Sequence, residues 1–92
     1  MDLRFYLDPD GVPHIYRHGV NENEVDEVLA DPGEDRLGRE GARVATGKTA
    51  AGRYLRVIYV PKADGILVVT AYELRGKPLI AYRRYLRRKG KL

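Results

Sequence analysis

The sequence predicts a small α+β domain in which an antiparallel sheet of three to four strands lies between N-terminal helical elements and a C-terminal basic helix. Three observations support this. Three β-rich segments follow one another in the second half, helical patterns lie on either side of them, and 92 residues suffice for one modest core. We therefore expect residues 1–92 to form a single domain whose last few residues are a loose basic tail.

The first half carries one predicted strand and two helical segments. "LRFYL" predicts a short strand, and the turn signals of "DPDGVP" end it. "HIYRHG" is expected to form one or two helical turns between Pro13 and Gly19. The next helix has the clearest signal, because Asn21 and Glu24 have the spacing of a capping box and "DPG" ends the pattern. We expect "GEDRLGREG" to be a polar connection.

The second half predicts the sheet and the closing helix. "ARVATGKT", "RYLRVIYV" and "GILVVTAYEL" are strand candidates, and "PKADG" suits a hairpin between the last two. No helix separates them, so antiparallel pairing is expected. Gly76 and Pro78 then open a helix whose apolar side carries Leu79, Tyr82, Tyr85 and Leu86.

Charge is distributed unevenly along the chain. Residues 1–46 hold 5 Arg or Lys and 11 Asp or Glu, whereas residues 47–92 hold 12 and 2, for net charges of −6 and +10. Two explanations fit this uneven charge. Either the charges serve solubility and attract the two halves of the chain to each other, or the second half forms a basic face that binds a polyanion, with nucleic acid the first candidate. Cysteine is absent, which excludes disulfides and thiolate metal sites. The sequence predicts a cytoplasmic protein with no membrane contact, no metal and no cofactor.

Arg56 occupies the middle of the apolar strand "GRYLRVIYV", where a permanent cation needs an explanation. Alternation along a strand places Arg53 on one face of the sheet and Arg56 on the other. Arg56 then either pairs with an acid of the first helix, such as Glu27, or extends to the sheet edge, or binds a phosphate. A phosphate suits arginine because its planar fork donates two parallel hydrogen bonds.

The histidines and tyrosines offer further candidates. His14 and His18 are four residues apart, but no third zinc ligand is suggested, and His18 at a helix end suits the helix dipole. His18 also remains a candidate general acid. Tyrosines interleaved with arginines in the basic half suit either a core or single-stranded RNA, whose bases stack on aromatic rings.

The order of these motifs resembles the BrnT-type toxin family. The matching blocks are "HGV" at a helix start, "DP" at its end, "EGARVATG", "GRYLRVIY", "VVTAYEL" and a basic helix, spanning about residues 14–85. A group of small uncharacterised bacterial domains beside these toxins is still more similar. Both resemble the wider RelE/ParE superfamily, which includes metal-independent ribonucleases, some of them ribosome-dependent, and gyrase inhibitors.

The resemblance implies roles for particular residues. Arg43 and Arg53 match arginines of the BrnT-type pattern, and Gly52 with Arg56 to Tyr59 matches the RelE-type strand whose arginine contacts the substrate phosphate. Tyr82 lies near the catalytic tyrosine of some of those enzymes. Where BrnT-type toxins end a strand with a basic residue, this chain has Tyr72 and Glu73.

Together, these features predict a toxin-like protein of a toxin–antitoxin system that cleaves or binds RNA without a metal. Arg56 and Arg53 would hold the phosphate, while Tyr82, Tyr72 or His18 would move protons. The residues expected to bind nucleic acid are Arg43, Arg83, Arg84, Arg87 and Arg88.

The expected partners are RNA, on or off the ribosome, and a cognate antitoxin protein. The alternative function is a non-catalytic module that binds nucleic acid or protein on the same fold. A gyrase target and a homodimer are left open.

Overall fold

A computed structural model describes residues 2–91 of the chain. The helices and strands, in chain order, are β1 (Leu3–Phe5), a 3₁₀ helix (His14–His18), α1 (Glu22–Ala30), β2 (Glu34–Leu37), β3 (Arg43–Lys48), β4 (Tyr54–Lys62), β5 (Gly65–Glu73) and α2 (Gly76–Arg88). The five strands form one sheet in the spatial order β1-β5-β4-β3-β2. Within residues 2–91, no helix is both long and apolar enough to cross a bilayer.

The α+β class is confirmed, but the sheet has five strands rather than three to four, and it is mixed rather than antiparallel. β3, β4 and β5 pair antiparallel in sequence, as predicted. The segment expected to be a polar connection contains β2, which pairs antiparallel with β3 along the sheet edge. An edge strand with mostly exposed side chains needs no alternating apolar pattern, so its composition did not signal it. β1 pairs parallel with β5.

One face of the sheet carries the main core. Leu55 and Val57 of β4, with Ala45 and Ala71 on the flanking strands, point to this face and are fully buried. The 3₁₀ helix and α1 cover them with a second apolar set: Ile15, Val20, Val25, Val28 and Leu29. The strands contribute one buried side chain in two, as a half-covered strand requires.

The local signals of the first half fix this helical layer. Gly19 ends the 3₁₀ helix in the left-handed conformation, and its N–H donates to the carbonyl of Tyr16. Both hydrogen bonds of the Asn21–Glu24 capping box are present, so α1 begins where predicted. Val20, just before the cap, and Val25, in the first turns of α1, are both buried.

α2 lies against the opposite face of the sheet. Its Tyr82 and Leu86 are buried with Leu74, and the half-buried side chains around them are Tyr54, Tyr72, Leu79 and Tyr85. At its C-terminus, Gly90 adopts a left-handed conformation and the N–H of Lys91 donates to the carbonyl of Leu86. Lys91 is thereby held against α2; Leu92 of the predicted loose tail lies outside the described residues.

Candidate nucleic-acid interface

Arg56 lies on β4, the central strand of the sheet, and its side chain is on the face that α2 partly covers. A row of directly paired residues crosses four strands there: Glu34, Thr46, Arg56 and Tyr72. Paired residues of neighbouring strands share a face, so these four side chains line one side of the sheet. The sheet and α2 enclose an open cavity of about 360 Å³ beside Arg56, whose other walls are Glu34, Pro78, Ala81, Tyr82 and Tyr85.

The guanidinium of Arg56 has no ionic partner among residues 2–91. Its one hydrogen bond is weak, from Nε to Oγ1 of Thr46 at 3.4 Å. No carboxylate within the described chain approaches it to 4.0 Å. Glu27, the acid considered as its partner, lies on α1 beneath the other face of the sheet and accepts a hydrogen bond from the backbone of Ala50. Most donors of this half-buried arginine are therefore available to a ligand.

Arg53 is in the opposite situation. Its guanidinium contacts Glu24 at 2.6 Å and Glu73 at 3.3 Å, and it also donates to the carbonyl of Gly19. The hydrogen bond to Glu24 is the main cause that raises the pKa of Arg53. Because Arg53 lies on the α1 face, the structure does not bring it together with Arg56. It joins α1 to the ends of β4 and β5.

Tyr82 is buried between α2 and the sheet, with its hydroxyl already engaged. The hydroxyl donates to the carbonyl of Thr46 at 3.1 Å. Burial is the main cause that raises its pKa to about 12. Near neutral pH this phenol therefore stays protonated, and Thr46 holds its hydroxyl group. The Tyr82 hydroxyl can reach the Thr46 carbonyl because residue 33 is glycine. A Cβ at residue 33 would collide with the hydroxyl.

Tyr72 and His18 extend the row that contains Arg56. Tyr72 pairs directly with Arg56 across β4 and β5, and its ring packs edge-to-face with that of His18 at 6.2 Å between centroids. The ring of His14 packs against the other side of His18 at 5.3 Å. The Nδ1 of His14 lies 2.9 Å from Asp8, whose pKa is lowered first by that hydrogen bond. We call these five residues the Arg56 row: the paired residues Glu34, Thr46, Arg56 and Tyr72, and His18, whose ring contacts Tyr72.

The remaining predicted nucleic-acid contacts divide into two groups. Arg43 is paired, since its Nε lies 3.0 Å from Asp35, which also accepts a hydrogen bond from Tyr59. The arginines of α2 are exposed, and within residues 2–91 none of them forms an ion pair: Arg83, Arg84, Arg87 and Arg88. With Ile80, three of them line a shallow surface depression on the outer side of α2.

Two contributors to the interface were not assigned from the sequence. Glu34 enters the Arg56 cavity from β2, a strand that the sequence did not indicate. Lys48 lies at the end of β3, where it stands over the ring of Tyr54 at 5.7 Å from the centroid. A second cavity opens beside Lys48 and Tyr54. Among residues 2–91, it shares one wall residue with the Arg56 cavity, Tyr82. In the described part of the chain, no group of three or more His, Asp or Glu side chains is placed to hold a metal ion.

Comparison with known proteins finds no family model, curated protein or solved structure that matches the chain. Function is therefore inferred from the geometry of the site.

Proposed function

We propose that the protein binds single-stranded RNA in the manner of a RelE/BrnT-type toxin. Arg56 would hold one phosphate, and the exposed arginines of α2 would follow the adjoining backbone. The observation that carries the proposal is the distribution of ion pairs. Arg4, Arg17, Arg43, Arg53 and Arg75 contact carboxylates, whereas within residues 2–91 Arg56 and the α2 arginines contact none. Arg36 of β2 and Arg39 of the following loop also lack an ion pair within this range, but they lie apart from α2.

Phosphates are the ligands that such unpaired cations suit best. A guanidinium offers paired donors that match phosphate oxygens, and neutralising several phosphates releases condensed counterions. Tyr72 and Tyr85 stand half-buried next to these cations and offer rings to unstacked bases. A continuous duplex would not present its bases to them, so the aromatic content favours single strands.

RNA cleavage is the catalytic form of this proposal. The 2′-hydroxyl of the RNA would give up its proton to water while its oxygen attacks the neighbouring phosphorus. The bond to the 5′-oxygen would break and that oxygen would take up a proton, so the products would be a 2′,3′-cyclic phosphate and a 5′-hydroxyl. Arg56 would stabilise the charge that develops on the non-bridging oxygens. His18 is the best-placed group to transfer a proton, because it lies next to Tyr72 and its ring has no carboxylate partner among residues 2–91.

A salt series tests RNA binding. The logarithm of the binding constant for a short single-stranded RNA should fall linearly with the logarithm of salt concentration, with a slope of about −0.7 per phosphate contact. Replacing Arg83, Arg84, Arg87 and Arg88 by Gln should flatten this slope. Replacing Arg4 and Arg17, which are already paired, is the matched control and should leave it close to the wild-type value. An unchanged slope in the α2 variant would mean that these charges solvate the surface or bind an acidic partner, such as an antitoxin segment.

Arg56→Lys separates phosphate binding from simple attraction, because lysine keeps the charge but loses the fork. We expect the melting temperature to change little and RNA cleavage to fall about tenfold or more, which corresponds to about 1.4 kcal/mol. Cleavage is measured with and without magnesium. Wild-type cleavage in Arg56→Met would contradict a role for Arg56. Binding that depends on Arg56 without cleavage by the wild type would favour the alternative, a non-catalytic RNA-binding module.

A further inference from the structure

The second cavity beside Tyr82 belongs to neither the Arg56 row nor the outer side of α2. Its volume is about 340 Å³, within the range of small-molecule sites. It opens where the C-terminal end of α1 meets the start of β4 and the end of α2. Its walls are Asp31, Pro32, Gly33, Lys48, Tyr54, Tyr82, Leu86 and Lys91.

We propose that this cavity, the Lys48–Lys91 pocket, binds one nucleotide, with the base against Tyr54 and the phosphate between the two ammonium groups. The inference deepens the proposed function and rests on it, since it identifies the ligand as the nucleotide next to the one held by Arg56. It adds a second site with its own residues, which the motifs of the sequence did not indicate.

The chemistry of the walls matches a nucleotide. Tyr54 is half-buried and packs edge-to-face against Tyr82 at 5.9 Å, so its ring is held in a fixed orientation. A fixed aromatic ring offers a stacking surface that any base can use. Lys48 stands over this ring, and the Nζ of Lys91 lies 3.4 Å from the carbonyl of Gly33 on the other side. Neither ammonium contacts a carboxylate among the described residues, so both remain available to a phosphate.

The position of the pocket connects it to Arg56. Of residues 2–91, Tyr82 alone lines both cavities, so its side chain separates them. Its ring stacks on Tyr85 at 6.0 Å on the Arg56 side and contacts Tyr54 on the other. Tyr54 and Tyr85 each lie near a lysine, Lys48 and Lys89 respectively. A single strand that passes over Tyr82 would therefore meet an aromatic ring and a cation on each side.

Asp31 allows affinity to be changed in the opposite direction, because it is the one carboxylate that residues 2–91 contribute to the wall. The Asp31 carboxylate repels a bound phosphate, while the Lys48 ammonium group attracts it. Adding or removing a single charge about 4 Å from a phosphate in water changes affinity by about fivefold. Lys48→Gln should therefore weaken mononucleotide binding by about fivefold, and Asp31→Asn should strengthen it by a similar factor.

The experiment follows binding of adenosine and guanosine 5′-monophosphates to the full chain by amide chemical-shift changes. Lys62→Gln and Asp26→Asn carry the same charge changes at exposed positions outside the pocket and serve as matched controls. We expect shifts at Gly33, Lys48 and Tyr54, opposite affinity changes in the two pocket variants, and less than a twofold change in the controls. Both nucleotides should bind more tightly than inorganic phosphate, and Tyr54→Leu should remove that difference.

The outcomes distinguish the pocket from the proposed function. If Lys48→Gln and Asp31→Asn behave like their controls while RNA binding still depends on Arg56, the pocket is wrong and the proposed function stands. If mononucleotides bind in a pocket-dependent way but RNA does not bind, the pocket stands and RNA is the wrong ligand. Equal affinity for nucleotides and inorganic phosphate would overturn the role of Tyr54.

Discussion

Arg53 lies directly before β4 and Arg56 lies three residues later within it, yet the two face opposite sides of the sheet and have opposite environments. Arg53 enters the α1 side, where Glu24 and Glu73 neutralise it and Gly19 accepts a further hydrogen bond. Arg56 enters the α2 side, where its side chain makes one weak hydrogen bond within residues 2–91, to Thr46. The charged residues of α1, on one side of the sheet, are all acidic. Those of α2, on the other side, are all basic.

This difference shows that the acidic and basic halves of the chain do not neutralise one another throughout. The sheet separates α1 from α2, and few of the charges on their outer sides meet. On the α1 side the charges hold elements together, as Arg53 does. On the α2 side they remain available, and a protein that keeps unpaired cations beside half-buried aromatic rings has a surface suited to a polyanion.

The largest expected effect comes from removing each arginine in turn. Arg53→Met leaves Glu24 without its cation and Glu73 with the exposed Arg75 alone among residues 2–91. We expect the free energy of unfolding to fall by about 2 to 3 kcal/mol, less than for a fully buried pair because the Arg53 side chain is 28% exposed. Arg56→Met should change it by less than about 0.5 kcal/mol. Urea unfolding measures both.

A rescue variant sharpens the Arg53 result. Adding Glu24→Gln and Glu73→Gln to Arg53→Met removes the stranded charges, and glutamine at position 24 can keep the capping box. Stability should recover in large part. Equal losses in Arg53→Met and Arg56→Met would mean that the two sides do not differ as described.

Tyr82 provides the next largest effect, on the α2 side. Its pKa is raised to about 12, above the value of about 10 in an unfolded chain, so the protonated phenol is favoured by folding. That contribution is complete below pH 10 and is lost as the pH rises through 12, by about 2 to 3 kcal/mol in total. Unfolding measured across this range should show the loss, which Tyr82→Phe should reduce. The part that remains is expected from Tyr59, whose pKa is raised mainly by burial. An unaltered pH profile in Tyr82→Phe would show that Tyr82 does not carry it.

The smallest expected effect on stability comes from the residues at the N-termini of the two helices, which also differ between the two sides of the sheet. Asn21 caps α1 with its side chain, whereas Arg75 at the start of α2 provides no side-chain cap. Asn21→Ala should therefore cost about 1 kcal/mol of stability, and Arg75→Ala should be near neutral. Thermal melts of the two variants decide this, with far-ultraviolet circular dichroism to follow helix content. A larger loss in Arg75→Ala would reverse the assignment.

Elements with local signals were predictable from the sequence. The capping box of Asn21 and Glu24, the left-handed stop at Gly19 and the alternation along β4 act between residues close in the chain, and each appears where predicted. β2 was not predictable, because the register of an edge strand depends on its partner β3 and its exposed side chains carry no pattern. The parallel pairing of β1 with β5 joins residues more than 60 apart, and no local signal marks it.

For the candidate site, the sequence determined that Arg53 and Arg56 face opposite sides of one strand, because alternation is a property of the strand itself. Only the tertiary structure decided that Arg53 meets two glutamates, that Arg56 meets none within residues 2–91, and that the hydroxyl of Tyr82 is held by Thr46. Gly33 shows the same division: its sequence context predicts a helix end, while its contact with Tyr82 comes from a helix that begins more than 40 residues later. Partners of a side chain come from distant segments, and the free energy that selects them arises from packing and charge in the folded chain.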